Sequence, residues 1–303
     1  MPTKTKVKGM FDSIAGDYDS LNHILSLDVD KIWRKKALKA IVDAPAPVEV
    51  LDLACGTGDF SIAIAKALRK RHPDKLGDRH KPVAEVAVTP SPVAEVRHAH
   101  QPVEAPTEVP DASVAEPVEA PGETSDFPVT STSSVTGKSP SGHVTGVDLS
   151  EGMLAVMREK VSKAGLTEMI SIEEGDGENL RFPDNTFDRV TIAFGIRNFE
   201  DREKGLREMR RVLKPGGRLV LLELSRPENK VIRWFYDLYF LHILPKIGGK
   251  VSGDKAAYAY LPASVAAFPG KKQFTATMRS AGLQSVTHKA LTLGICRMYT
   301  GEK

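Results

Sequence analysis

The ten residues LDLACGTGDF (51–60) constrain this chain more than any other stretch. They begin inside the apolar run VEVLDLA (48–54), which ends in small residues as a buried strand does. Gly56 and Gly58 follow, and then DFSIAIAKALRK, in which Phe60, Ile64 and Ala67/Leu68 recur on one helical face. A buried strand, a glycine turn and an amphipathic helix make the first half of a βαβ unit whose turn lets a ligand approach the backbone. The alternation continues. HVTGVDLS, MISIEEGD, FDRVTIAF and RLVLLELS read as further strands, and EGMLAVMREKVSKAG and REKGLREMRRVLKPGG as helices, the second stopped by Pro215-Gly216-Gly217. Strands alternating with helices predict an α/β fold, a mostly parallel central sheet with helices on both faces.

One segment breaks the rhythm. Residues 71–143 carry 11 of the 20 prolines, repeat PVAEV and PVEAP, and hold Phe127 as their only aromatic residue. So little large apolar surface cannot offset the entropy of ordering, so the segment reads as a disordered, low-complexity insertion in the crossover between the first two strands. Its histidines (72, 80, 98 and 100) have no regular metal-ligand spacing, and no metal is expected. Residues 1–45 read as an N-terminal helical cap and 46–303 as the main domain. After Arg226 the chain reads as helical and then as a two-stranded hairpin. Cys55 and Cys296 form no disulfide framework and fit a reducing compartment. A net charge of +3 gives no ground for nucleic-acid binding. No signal peptide or membrane-spanning run is read, which implies a cytoplasmic protein.

The chemistry-bearing residues fall at the ends of strands, where open α/β sheets bind ligands. Asp148 ends the second strand, and its carboxylate suits the two hydroxyls of a ribose. Asp176 ends the third and suits an exocyclic amine; both aspartates could instead cap turns. The glycine turn loosely matches a dinucleotide fingerprint, but Ser61 stands where the third glycine belongs. Arg197 and Asn198 follow the fourth strand directly, either as catalytic groups or as a loop ion pair and a helix cap.

The order of these features resembles class I S-adenosylmethionine-dependent methyltransferases, a Rossmann-like fold. That resemblance implies that the turn from Asp52 to Gly58 holds the methionine end of the cofactor, Asp148 the ribose, and Asp176 with Gly177 the adenine region. Asp52, Gly56, Thr57, Gly58, Asp148, Asp176 and Gly177 are thus the expected cofactor residues. MFDSIAGDYDSLNHILS, WRKKAL, FPDNTFDRVTIAFGIRNFEDREKGLREMRRVLKPGGRLVLLE, YLPASVAAFPG and LTLGI further resemble the bacterial demethylmenaquinone and ubiquinone-pathway C-methyltransferases. The implied activity is C-methylation of a prenylated naphthoquinol, demethylmenaquinol. A serine contact found in some relatives has no counterpart, because Ala193 stands there.

A neutral quinol is a poor carbon nucleophile, so the reaction needs a base or water relay at a hydroxyl and a donor at the developing phenolate. Arg197, Asn198 and Tyr18 are the expected catalytic residues; His23 and His242 are weaker candidate bases. Trp234, Phe235, Leu238, Tyr239, Phe240 and Leu241 could line a channel for the isoprenoid tail, touch a membrane, pack in the core or form a homodimer contact. The basic helix DKIWRKKALK offers attraction to anionic lipid, peripherally on the inner face of the plasma membrane, or a solvated surface. Ubiquinone-pathway activity, methylation of an oxygen or nitrogen, a nicotinamide oxidoreductase and a non-catalytic scaffold are the alternative readings.

Overall fold

The computed structural model describes residues 3–16, 18–19, 28–45, 47–71, 142–239 and 255–303. The low-complexity segment from 72 to 141, His23, His242, Phe240 and Leu241 lie outside the described residues.

Among the described residues, seven strands form one sheet: β1 (Val48–Leu53), β2 (Gly142–Asp148), β3 (Ile170–Glu174), β4 (Phe187–Ala193), β5 (Leu213–Leu224), β6 (Gln284–Leu291) and β7 (Cys296–Glu302). Their order is β3-β2-β1-β4-β5-β7-β6. The first five run parallel, and β7 pairs antiparallel with both β5 and β6. The order reverses between β1 and β4, the topological position where such sheets open a crevice. Among the described residues, eight helices accompany the sheet: α1 (Lys4–Ile14), α2 (Val29–Ile41), α3 (Asp59–Arg71), α4 (Glu151–Lys163), α5 (Arg202–Val212), α6 (Lys230–Leu238), α7 (Lys255–Ala266) and α8 (Lys271–Ser280).

Period-two alternation along the strands feeds two separate cores. Val48 and Val50 of β1 with Val220 and Leu222 of β5 face α2, α3 and α4, packing with Trp33, Ile41, Ile64, Leu154 and Met157. Leu51 and Leu53 with Leu219 and Leu221 face the other way, against Leu206 and Met209 of α5 and Phe274 and Met278 of α8. Each such leucine or isoleucine, wholly buried, gains roughly 1.5–3 kcal/mol from leaving water.

Two boundaries differ from the sequence reading. Helix α5 stops at Val212, before the Pro-Gly-Gly stretch. Leu213 pairs with Phe187 of β4, and Gly216 and Gly217 exchange backbone hydrogen bonds with Lys303. Pairing on both sides therefore draws residues 213–217 into β5. The N-terminal cap also splits: α1 lies over the strand ends, while Trp33, Ala37 and Ile41 of α2 belong to the core.

Candidate active site

The carboxyl ends of β1, β2 and β4, roofed by α1, line a crevice that opens to solvent. Its floor begins with the glycine turn. Gly56 and Gly58 both have positive φ (56° and 82°). A Cβ at Gly58 would also lie 2.9 Å from Met157 Sδ, so this turn packs against α4 only without a side chain. Asp148 faces the turn: Gly56 N donates to Oδ2 (2.8 Å) and Ser150 N to Oδ1 (2.9 Å). Burial pushes the Asp148 carboxyl above the usual carboxylate range, and the backbone N–H groups of Ser150, Gly56 and Leu149 pull against that shift.

Helix α1 is fastened over this floor by polar contacts. Lys4 pairs with Asp176 (2.6 Å) and Glu178 (3.1 Å), and Lys8 Nζ donates to Leu149 O (2.9 Å). Ser150 Oγ, the N-cap of α4, donates to Asp12 Oδ1 (2.5 Å). Val7 and Phe11 project into the crevice opposite Val147, Leu149, Met153 and Phe199. Tyr18 meets Phe11 edge-on at 6.0 Å. Its neighbour Asp19 is held by Thr57 Oγ1 (2.5 Å) and by Lys160 (2.7 Å), which also pairs with Asp59. Thus the glycine turn and α4 together set the position of Tyr18.

Opposite, β4 ends in an unusual turn. Ala54 after β1 and Phe194 after β4 both have positive φ (49° and 63°), rare for residues with a Cβ. Gly195 sits against Ala54 so closely that a Cβ there would overlap that of Ala54. This close approach explains the glycine that interrupts the strand and starts the 3-10 turn Ile196–Asn198. Asn198 lines the crevice. It is not the cap of α5; Asp201 fills that role, accepting from Lys204 N (2.9 Å). Tyr260 Oη donates to Asn198 Oδ1 (2.8 Å).

Arg197 turns the other way. It is buried, and its Nη1 donates to Glu223 Oε1 (2.8 Å) and to Phe194 O. Its own backbone N–H donates to Glu223 Oε2 (3.1 Å). Burial works against the guanidinium charge, but Glu223 more than offsets it and the shift is upward. Its Nε, also buried, has no hydrogen-bond partner among the described residues.

Of the expected residues, Gly56, Asp148, Asp176, Gly177, Tyr18 and Asn198 share the crevice; Asp52, Thr57, Gly58 and Arg197 stand outside its lining. The reasons are local. Asp52 shares the parity of Val50 and points under the sheet, where Ser61 Oγ donates to its Oδ2 (2.6 Å). Thr57 is turned to Asp19, Gly58 to Met157, and Arg197 to Glu223. Ala193, Phe194 and Gly195 join the lining, as do Lys4 and Phe11. Only tertiary packing reveals these residues.

The model of the ubiE/COQ5 methyltransferase family matches residues 2–89 and 111–303. The chain belongs to that family. Among the relatives of this methyltransferase is the ubiquinone/menaquinone biosynthesis C-methyltransferase UbiE of Geobacter sulfurreducens, 38% identical over 98% of this chain and 88% of that protein. The demethylmenaquinone methyltransferase of Bacteroides fragilis is 35% identical over 98% of this chain and 92% of its own length. Among solved structures, the [4+2]-cyclase SpnF matches at a TM-score of 0.57 with 14% identity, covering all of this chain and 96% of that one. A SAM-dependent methyltransferase from Thermotoga maritima matches at 0.50 with 15% identity, covering 97% and 99%. The last two establish the fold alone, and a cyclase among them illustrates that this fold does not fix the chemistry. The crevice of this methyltransferase suits S-adenosylmethionine. An acceptor carboxylate, an open glycine turn and an apolar slot meet there, and among the described residues only Tyr18 Cε1, at 3.8 Å, stands within 4 Å of a Cβ position at Gly56.

Proposed function

We propose that the protein methylates a ring carbon of demethylmenaquinol, giving menaquinol, with S-adenosylmethionine as the donor. Full-length kinship to demethylmenaquinone methyltransferases supports the acceptor, and one observation carries the site: Asp148, at the end of β2, and Asn198, just after β4, line the same crevice from either side of β1. Bound there, S-adenosylmethionine supplies an electrophilic methyl group. Asp148 is placed to accept from ribose hydroxyls, and the backbone of Asp176-Gly177 to border the base. The acceptor loses a hydroxyl proton, which raises electron density on the adjacent ring carbon. That carbon would take the methyl group as the methyl–sulfur bond breaks, with S-adenosylhomocysteine as the leaving group; the ring carbon then releases its own proton and the phenolate oxygen regains one, restoring the aromatic quinol. Asn198 donates to the phenolate oxygen and Tyr18 takes part in the proton relay. Arg197 acts from behind Asn198. It supplies positive potential that Glu223 partly cancels, so it holds the turn as much as it stabilises the anion.

The isoprenoid tail calls for an apolar route to a bilayer. Val231, Trp234, Phe235 and Leu238 form an exposed stripe on α6. The hairpin tip Thr292–Gly294 touches both α2, through Trp33 Nε1 to Thr292 Oγ1 (2.8 Å), and the strand before α6, through Ser225 Oγ to Gly294 O (2.7 Å). Leu293 at that tip is exposed, as is Ile32 beside Lys31, Lys35, Lys36 and Lys39. Apolar tips amid lysines suit an anionic lipid surface. Among the described residues no helix is long and apolar enough to cross a membrane. Co-sedimentation with phosphatidylglycerol vesicles, lost in Trp234→Ala/Phe235→Ala, tests this contact. A change of oligomeric state in that variant would instead indicate a second copy on the stripe.

The deciding experiment for the activity incubates the protein with S-adenosylmethionine and reduced demethylmenaquinone and follows the quinone mass. A gain of one methyl on the ring is expected. Cofactor binding without that gain, or methylation on oxygen, overturns the assignment.

A further inference from the structure

The stretch YLPASVAAFPG (260–270) lies apart from the sheet, and the reaction so far gives it no part. Yet α7 is bound at two points to the turn that carries Asn198. Phe268, buried against Phe274, takes the Arg202 guanidinium over its ring at 5.5 Å, and Arg202 Nη2 donates to Arg197 O (3.1 Å). Eight residues earlier in the chain, Tyr260 reaches Asn198 Oδ1. Buried Ser264 and Val265 lie between, so the helix is anchored where it meets the turn. Tyr260 does not line the crevice; its hydroxyl stops at the amide.

The backbone of Asn198 is fixed by its N–H to Gly195 O (3.0 Å), but that leaves the rotation of the side-chain amide unset. An amide is two-faced: one orientation offers an oxygen acceptor, the other two N–H donors. A developing phenolate is stabilised by donors and repelled by an oxygen. We infer that Tyr260 is a positioning residue which, by donating to Oδ1, fixes the Asn198 amide with both Nδ2 hydrogens available to the crevice. This rests on the proposed role of Asn198 as the donor to the acceptor's oxygen. Burial pushes the Tyr260 phenol above its ordinary range, opposed in part by Arg197, so the hydroxyl remains a donor at every pH where the enzyme would work.

The test is a double-mutant cycle in the full chain. Tyr260→Phe, with its melting temperature and S-adenosylmethionine affinity matched to the parent, is expected to lower kcat about fivefold to tenfold, the size of one net hydrogen bond, at unchanged cofactor KM. In an Asn198→Ala background the same change is expected to cost nothing more. Multiplicative loss in that background, or an unchanged kcat in Tyr260→Phe, overturns the inference. A second readout needs no acceptor at all. In protein labelled with 15N-asparagine, the Asn198 side-chain resonances, assigned by their disappearance in Asn198→Ala, are expected to shift and broaden in Tyr260→Phe. If they stay in place, Tyr260 does not set the amide. Should the parent fail to methylate demethylmenaquinol, the proposed reaction falls, while the resonance experiment still decides whether Tyr260 orients Asn198.

Discussion

The two walls of the crevice are made of different material. At the ends of β1 and β2, backbone does the recognition: a glycine turn and successive N–H groups gather around Asp148, and their partners are near in the chain apart from the β1–β2 crossover. At the ends of β4 and β5, side chains do it. Arg197 meets Glu223, 26 residues on, and Asn198 meets Tyr260, 62 residues on. A wall made of backbone is insensitive to distant substitution but depends on its glycines. A wall made of buried charge fails when one partner is removed, because the other is left in a medium that cannot solvate it.

The largest effect is therefore expected on the second wall. Arg197→Ala leaves the Glu223 carboxylate, which has no exposure, without its cation, and should destabilise the fold by about 3–5 kcal/mol. Removing both charges, as in Arg197→Met with Glu223→Leu, should restore most of the melting temperature while methyl transfer stays low. If the double variant regains full turnover, Arg197 serves the fold alone. If Arg197→Ala melts like the parent, the two walls are not different in kind.

On the first wall, Asp148→Ala removes the acceptor of the Gly56 and Ser150 N–H groups and should cost about 1–3 kcal/mol of stability, less than the loss at Arg197, while weakening S-adenosylmethionine about 100-fold or more, the scale of losing two hydrogen bonds to a charged group. Isothermal titration measures it. An affinity within threefold of the parent would remove Asp148 from the ribose and, with it, the reading of this wall as the cofactor side.

The same contrast governs what could be read from the sequence. The strands, the glycine turn and the acids at strand ends follow from local spacing, and β1 to β4 appear within two residues of their expected bounds. Which way a side chain faces depends on more. Period-two alternation was enough to turn Asp52 to the face of Val50, away from the ligand, since Leu51 and Leu53 occupy the other core. The partners of Thr57, Asp176 and Arg197 are different. Asp19, Lys4 and Glu223 lie 38, 172 and 26 residues away, and no local pattern couples them. Nor does spacing reveal that Leu213 finds a strand partner, which is why the helix before Pro215 ends sooner than its periodicity suggests.

Asp52 offers a smaller, signed test. Burial, opposed by the Ser61 hydroxyl and by Arg34 and reinforced by the charge of Asp148, raises its pKa to about 7. Over the interval from the ordinary carboxylate pKa up to about 7, the folded state binds a proton that the unfolded chain does not. The stability from this group is thus complete in acid and is lost as pH rises through about 7. Asp52→Asn keeps an acceptor for Ser61 and should flatten that part of the urea-stability profile. An unaltered slope would mean that Asp52 is ionised throughout, and that the underside of the glycine turn carries a charge like the other wall.

The smallest effect is expected from the largest change. Both described ends of the 72–141 excursion sit at the amino edge of the sheet. Arg71 Nη1 donates to Ala44 O (3.1 Å), and Gly142 is the Cα partner of Val48 at the start of β1. The crevice begins six residues further along β1, about 20 Å away at 3.3 Å per residue. Loop closure grows only slowly more costly with length, so a short linker between those ends asks little of either wall. We propose that residues 71–143 interrupt the domain without serving the site. Deleting 74–140 should change the melting temperature by no more than about 2 °C, under 1 kcal/mol for a chain of this size, and leave cofactor affinity and turnover as they were. A tenfold loss of affinity would show that the excursion reaches the glycine turn. The glycine turn would then depend on the excursion as well as on Asp19, which already holds Thr57 from the N-terminal segment.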